Sequence, residues 1–192
     1  MVDFLGKWVF DLCRLMSTPT RFLIKMRKKY FTQDYGDILI VAVNKKLLSL
    51  IIAALDLVKR EDKRSFKKVM KCLKIICIPA SKGGLNGVYE KERIWIAEGG
   101  LIENNQSSYI ASAIIHEAHH IAQYFSGHKY KLPSSEISAL REQKLFLKKI
   151  GDTFSLDWLD SKNNQEWWKK VVGNKKATSK LDSYLKIAKK FL

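Results

Sequence analysis

Hydrophobic positions near the start of the chain recur at helical spacing. Leu5, Trp8, Val9, Leu12, Leu15 and Met16 lie three or four apart with charges between them, and Pro19 ends the run; this predicts an amphipathic helix packed against the rest of the fold. From Asp37 to about Arg60, "DILIVAVNKKLLSLIIAALDLVKR" predicts a long apolar helix or a helix pair. The texture changes between Lys74 and Gly100. There "KIICIPA" is a β-branched run closed by Pro79, "SKGGLNG" carries turn chemistry and "GVYEKERIWIAEGG" alternates, so two or three strands of a small sheet are expected. The helical period returns after Asn105 and persists through Phe125, with Gly127 placed to end that helix. "HKYKLPSSE" reads as a loop whose Ser134 or Ser135 can cap the next helix, "EISALREQKLFLKKI", which Gly151 closes. Two further helices are expected around Trp167 and Tyr184.

These elements predict an α+β fold, mainly helical, with a small mixed sheet ahead of the helix ending near Phe125. At 192 residues a single domain is expected: residues 1–70 a helical part, 71–150 the sheet and two helices, 151–192 a helical tail. Composition agrees with a folded chain, 46% hydrophobic and 28% charged. The longest apolar region is interrupted by Asn44, Lys45, Lys46 and Asp56, short of the roughly 20 residues that span a bilayer. Asp3, Lys7, Asp11 and Arg14 break the first segment, which argues against an export signal. Cys13, Cys72 and Cys77 are odd in number and lack CxxC spacing, a pattern suited to reduced thiols in a cytoplasmic protein. The net charge is +16. Lysine dominates it and is scattered, so it reads as a solvated surface, with nucleic-acid binding a secondary expectation.

Chemistry concentrates in one place. The chain has four histidines, and three fall within "HEAHH". His116, Glu117 and His120 form HExxH. On a helix, residues four apart lie one turn above each other on one side, so both imidazoles can reach one ion, and Glu117 projects beside that ion rather than between them. Ala111, Ile114, Ile115, Ala118, Ile121, Ala122 and Phe125 make the apolar face of the same helix. The two histidines lie opposite it, with Ser112, Gln123 and Tyr124, and are therefore not core filler. A third ligand is expected from Glu136, at the centre of an apolar stripe formed by Ala139, Leu140, Gln143, Phe146, Leu147 and Ile150. A carboxylate aimed into a core needs a strong partner, and a divalent cation is the strongest available. His119 reads as a surface histidine, with a role supporting the metal ligands as the alternative.

"IHEAHHIAQYFSG" followed by "SSEISAL" resembles the gluzincin type of zincin metallopeptidase. The resemblance covers roughly residues 75–150. It implies zinc held by His116, His120 and Glu136, Glu117 as general base, Ala139 as the small residue beside the third ligand, and "ERIWIA" as the edge strand that holds extended peptide. A peptide or protein substrate follows from it. Tyr109, Tyr124, His128 and Tyr130 are all candidates to stabilise the oxyanion. The alternative expectation is a zinc-stabilised or degenerate zincin scaffold that binds a partner, in one form associated with nucleic acid.

Overall fold

The computed structural model describes residues 30–78, 87–127 and 134–163. They fall within one compact unit, Tyr30–Asn164; the other unit, Met1–Lys29 with Gln165–Leu192, lies outside the described residues. So do the predicted helices at Leu5–Met16 and around Trp167 and Tyr184, and most of the "SKGGLNG" and "HKYKLPSSE" segments. Within the described residues the fold is α+β and mainly helical. Five strands, β1 (Phe31–Tyr35), β2 (Ile38–Ala42), β3 (Ile75–Ile78), β4 (Gly87–Tyr89) and β5 (Ile94–Ile96), form one sheet in the order β1-β2-β3-β5-β4. The helices are α1 (Lys45–Glu61), α2 (Lys63–Cys72), α3 (Gly99–Glu103), α4 (Ser107–Phe125), α5 (Ser134–Lys149) and α6 (Thr153–Asn163).

The sheet is mixed. β1 and β4 are antiparallel to their neighbours, while β2, β3 and β5 run parallel. All five strands precede α4, as expected, but two of them correct the reading of residues 1–70 as helical. β1 and β2 form a hairpin turned at Gly36 and Asp37, with Gly36 at φ +57. Ile38 to Ala42 are buried at every position. A strand covered on both faces shows a continuous apolar run instead of alternation, and that run merges with the apolar helix α1 that follows. Asn44 marks the true boundary: its side chain accepts from the Leu47 backbone N–H at 2.8 Å and caps α1.

A second correction concerns the edge. "ERIWIA" contributes β5, which lies between β3 and β4, so the outer strand is β4. The buried Ile94, Trp95 and Ile96 need neighbours on both sides, whereas the half-buried "GVY" of β4 tolerates an open flank. α6 lies in the stretch expected to be a helical tail, ahead of the helices expected around Trp167 and Tyr184. It starts at Asp152, whose carboxylate accepts from the Ser155 backbone N–H at 2.9 Å.

One core unites the sheet with the helices. Ile40, Ile76, Trp95 and Val88 lie in a continuous cross-strand row, and this face packs with Leu47, Ile51, Leu55 and Val58 of α1 and with α4. From α4 come Ile110, Ala111, Ile114, Ile115, Ala118 and Ile121, all essentially inaccessible to solvent. Burying each isoleucine contributes about 1.5–3 kcal/mol, so the four together fix the rotation of α4. That rotation decides where His116 and His120 point.

Candidate metal centre

α4 and α5 pack side by side as an antiparallel pair, and their contact surface is a polar seam in an otherwise apolar interior. Gln143 donates to the Ser112 hydroxyl at 3.0 Å, which itself donates to the Tyr109 carbonyl at 2.7 Å. Further along, His119 Nε2 meets Ser138 Oγ at 2.9 Å, His120 Nδ1 meets Ser135 Oγ at 3.2 Å, and Ser135 donates to Gln123 Oε1 at 2.7 Å. Rising numbers on α4 meet falling numbers on α5, as an antiparallel register requires. Gly127 at φ +73 and Gly151 at φ +72 follow α4 and α5 in the left-handed conformation that glycine adopts without steric cost.

The seam brings the predicted ligands together. His116 Nε2 and His120 Nε2 are 3.0 Å apart; Glu136 Oε2 lies 3.5 Å from the first and Glu136 Oε1 3.3 Å from the second. Among the described residues this trio forms the one cluster of histidine, cysteine or carboxylate donors close enough to share an ion. Each Glu136 oxygen thus faces a different imidazole, and one donor atom from each of the three residues lies within 4.8 Å of the other two; ligands about 2.0–2.1 Å from a tetrahedral zinc lie roughly 3.3 Å from one another, a spacing this cluster approaches. Two imidazoles and a carboxylate also suit zinc by donor type. The apolar stripe of α5 places Glu136 as its sequence implies: it is 8% exposed, between buried Ser135 and Ala139.

Electrostatics follow from that proximity. Although burial acts to raise it, hydrogen bonds from His116 and His120 hold the Glu136 carboxyl well below the usual carboxylate range. For His120 burial acts downward, but the Glu136 hydrogen bond and the carboxylates of Glu136, Glu117 and Glu90 prevail and raise it. Glu117 sits beside the pair, 9% exposed. Burial pushes its carboxyl up, with Glu136 and Glu90 acting the same way and the two histidines opposing.

His119 is not a surface residue. It is half-buried between α2 and α5, with Lys68 Nζ 3.5 Å from its Nδ1 and Lys68 in turn bonded to Glu142 at 2.6 Å. Burial, then the Lys68 charge, lowers its pKa to about 4. Lysine can only donate, so Nδ1 accepts and Nε2–H donates to Ser138. The helical wheel of α4 alone could not reveal this, because the covering groups come from two other helices. Phe125, assigned to the apolar face, is 52% exposed and carries Arg93 over its ring at 4.4 Å.

Among the oxyanion candidates that fall in the described residues, Tyr109 is the one coupled to the Glu117 carboxylate. Burial and the neighbouring Glu117 raise its hydroxyl to about 12, and its ring meets Trp158 edge-on at 5.2 Å. Tyr124 is exposed, and His128 and Tyr130 lie outside the described residues. Sequence reasoning missed Glu90. It follows β4 in the turn to β5, is half-buried, and interacts electrostatically with His120 and Glu117. Only the strand pairing brings that turn to α4. No helix of the described residues is long and apolar enough to cross a membrane, and Cys72 and Cys77 are buried free thiols. Compared with known proteins, the chain matches no family model, no curated protein and no solved structure.

Proposed function

We propose that this chain is a zinc-dependent metallopeptidase of the gluzincin type, with His116, His120 and Glu136 as ligands and Glu117 as general base. The observation that supports the reading most is the donor cluster contributed by two successive helices, in which the His116 and His120 Nε2 atoms are 3.0 Å apart and each faces one oxygen of Glu136, at 3.5 and 3.3 Å, with a buried second carboxylate directly beside it. A divalent ion held by these donors supplies Lewis acidity, which acidifies water and polarises a peptide carbonyl.

The chain's own residues supply the rest. Glu117, raised by burial, is suited to take a proton from the attacking water and deliver it to the leaving amine, because a group that both accepts and donates works best near neutrality. Peptide cleavage then consumes one water and yields a carboxylate and an amine. Tyr109, protonated and adjacent to Glu117, is the described residue best placed to donate a hydrogen bond to charge developing on the carbonyl oxygen.

Elemental analysis of purified protein, paired with Glu117→Gln, tests this. The expected result is about one zinc per chain in both proteins, with peptide hydrolysis falling at least ~100-fold in the variant, as loss of general-base catalysis implies. Absence of stoichiometric zinc from the unaltered chain would sink the proposal. Bound zinc without hydrolysis by either protein would instead favour the zinc-stabilised binding scaffold.

A further inference from the structure

The two imidazoles of the donor triangle are supported differently. His116 Nδ1 is buried without a hydrogen-bond partner. His120 Nδ1 lies 3.2 Å from the Ser135 hydroxyl, whose single hydrogen is directed to Gln123 Oε1 at 2.7 Å. A hydroxyl that donates its only hydrogen elsewhere can offer the ring nothing but a lone pair. The contact therefore requires a hydrogen on His120 Nδ1, whatever the charge of the ring. Nε2, the atom that faces His116 and Glu136, is then the nitrogen that a metal can take in place of the hydrogen it shares with Glu136.

We propose that Ser135 and Gln123 form a positioning relay that holds His120 as the Nδ1–H tautomer and presents its bare Nε2 to the metal. This deepens the metal-centre reading and rests on it. The placement gives the relay a further property. Ser135 immediately precedes the ligand Glu136 on α5, and Gln123 lies about one turn after His120 on α4. The chain Gln123–Ser135–His120 thus spans both ligand-bearing helices, and it sets the ring of one ligand by reference to the backbone that carries another. Supporting hydrogen bonds of this kind orient metal-bound imidazoles and raise their basicity, and losing one costs on the order of 10–100-fold in metal affinity.

The test reads the proton directly as well as the metal. Long-range proton–nitrogen NMR on metal-free protein, taken at a pH high enough that the His120 ring is neutral, should show its single ring hydrogen on Nδ1, and chelator competition should show zinc affinity about 10–100-fold weaker in Ser135→Ala. Gln123→Glu, which keeps the acceptor for the serine hydrogen, should retain the Nδ1–H signature. Gln123→Leu should lose the preference and weaken zinc binding, without touching any ligand or any residue of the α5 turn. A neutral His120 protonated at Nε2 in the unaltered chain overturns the proposal, as does wild-type zinc affinity in both Ser135→Ala and Gln123→Leu. The spectrum of the metal-free protein decides the relay even if Ser135→Ala fails to fold. An unaltered chain that keeps Nδ1–H but takes up no zinc supports the relay's geometry and overturns the metal-centre reading on which its purpose rests.

Discussion

At the scale of single residues, Glu136 carries the most. It completes the donor triangle and is also the carboxylate that the two histidines hold ionised in an interior position. Replacing it by Ala removes the proposed third ligand and leaves His116 and His120 facing a cavity, so equilibrium dialysis should show zinc affinity falling by more than the 10–100-fold expected for a supporting residue. Unchanged stoichiometry at low micromolar free zinc would remove Glu136 from the ligand set. The residue pattern revealed this carboxylate in advance because its stripe is otherwise apolar, and a charge at its centre has to be accounted for. Ser135 carried no such signal. A serine at a helix start is ordinarily a cap, and its contact with His120 exists only because α4 and α5 lie antiparallel in one register. Glu90 was silent for the same kind of reason, since it reaches the site through the pairing of β4 with β5.

Elements were legible where their periodicity was unambiguous. α4 and α5 show a 3.6-residue period ended by glycine, and Gly127 and Gly151 do take the left-handed conformation. β2 was hidden because five consecutive buried residues carry no period to read. The junction of α1 and α2 shows how an element boundary can also carry pH dependence. Asp62 ends α1 and caps α2, accepting from the backbone N–H groups of Arg64 and Ser65 at 3.2 and 3.3 Å and from the Ser65 hydroxyl at 2.7 Å. Lys149 approaches it at 3.4 Å from the end of α5. Burial acts to raise its pKa, but these bonds and the lysine together lower it. A depressed folded value means that the unfolded chain binds more protons in the acid range, so this contribution is complete above the unfolded value of about 3.9 and is lost as pH falls through the folded one. Asp62→Ala should cost about 1 kcal/mol in urea unfolding at pH 7. The gap from the unaltered chain should narrow on acidification below about pH 4; a gap independent of pH would show that the charge of Asp62 contributes nothing.

Across the described unit as a whole, the proposed metal site would link stability to metal content. Four ionisable side chains, His116, Glu117, His120 and Glu136, are gathered along the polar seam between two helices that otherwise pack into an apolar core. Their mutual hydrogen bonds satisfy some of that polarity, yet His116 Nδ1 has no partner, and burial and the Glu136 charge both raise the cost of ionising Glu117. A cation seated in the triangle binds this arrangement and not the unfolded chain, where the ligands are dispersed. At free zinc 100-fold above its dissociation constant the folded state gains about 2.7 kcal/mol, and at roughly 2–4 °C per kcal/mol for a chain of this length the midpoint should rise by about 5–10 °C. Thermal melts with zinc and with a strong chelator measure it. Glu117→Gln should keep most of the rise, because Gln retains the shape and lies outside the triangle, whereas Glu136→Ala should abolish it. Equal rises in all three proteins would place the bound zinc somewhere other than between α4 and α5, and the enzymatic reading would lose its structural basis.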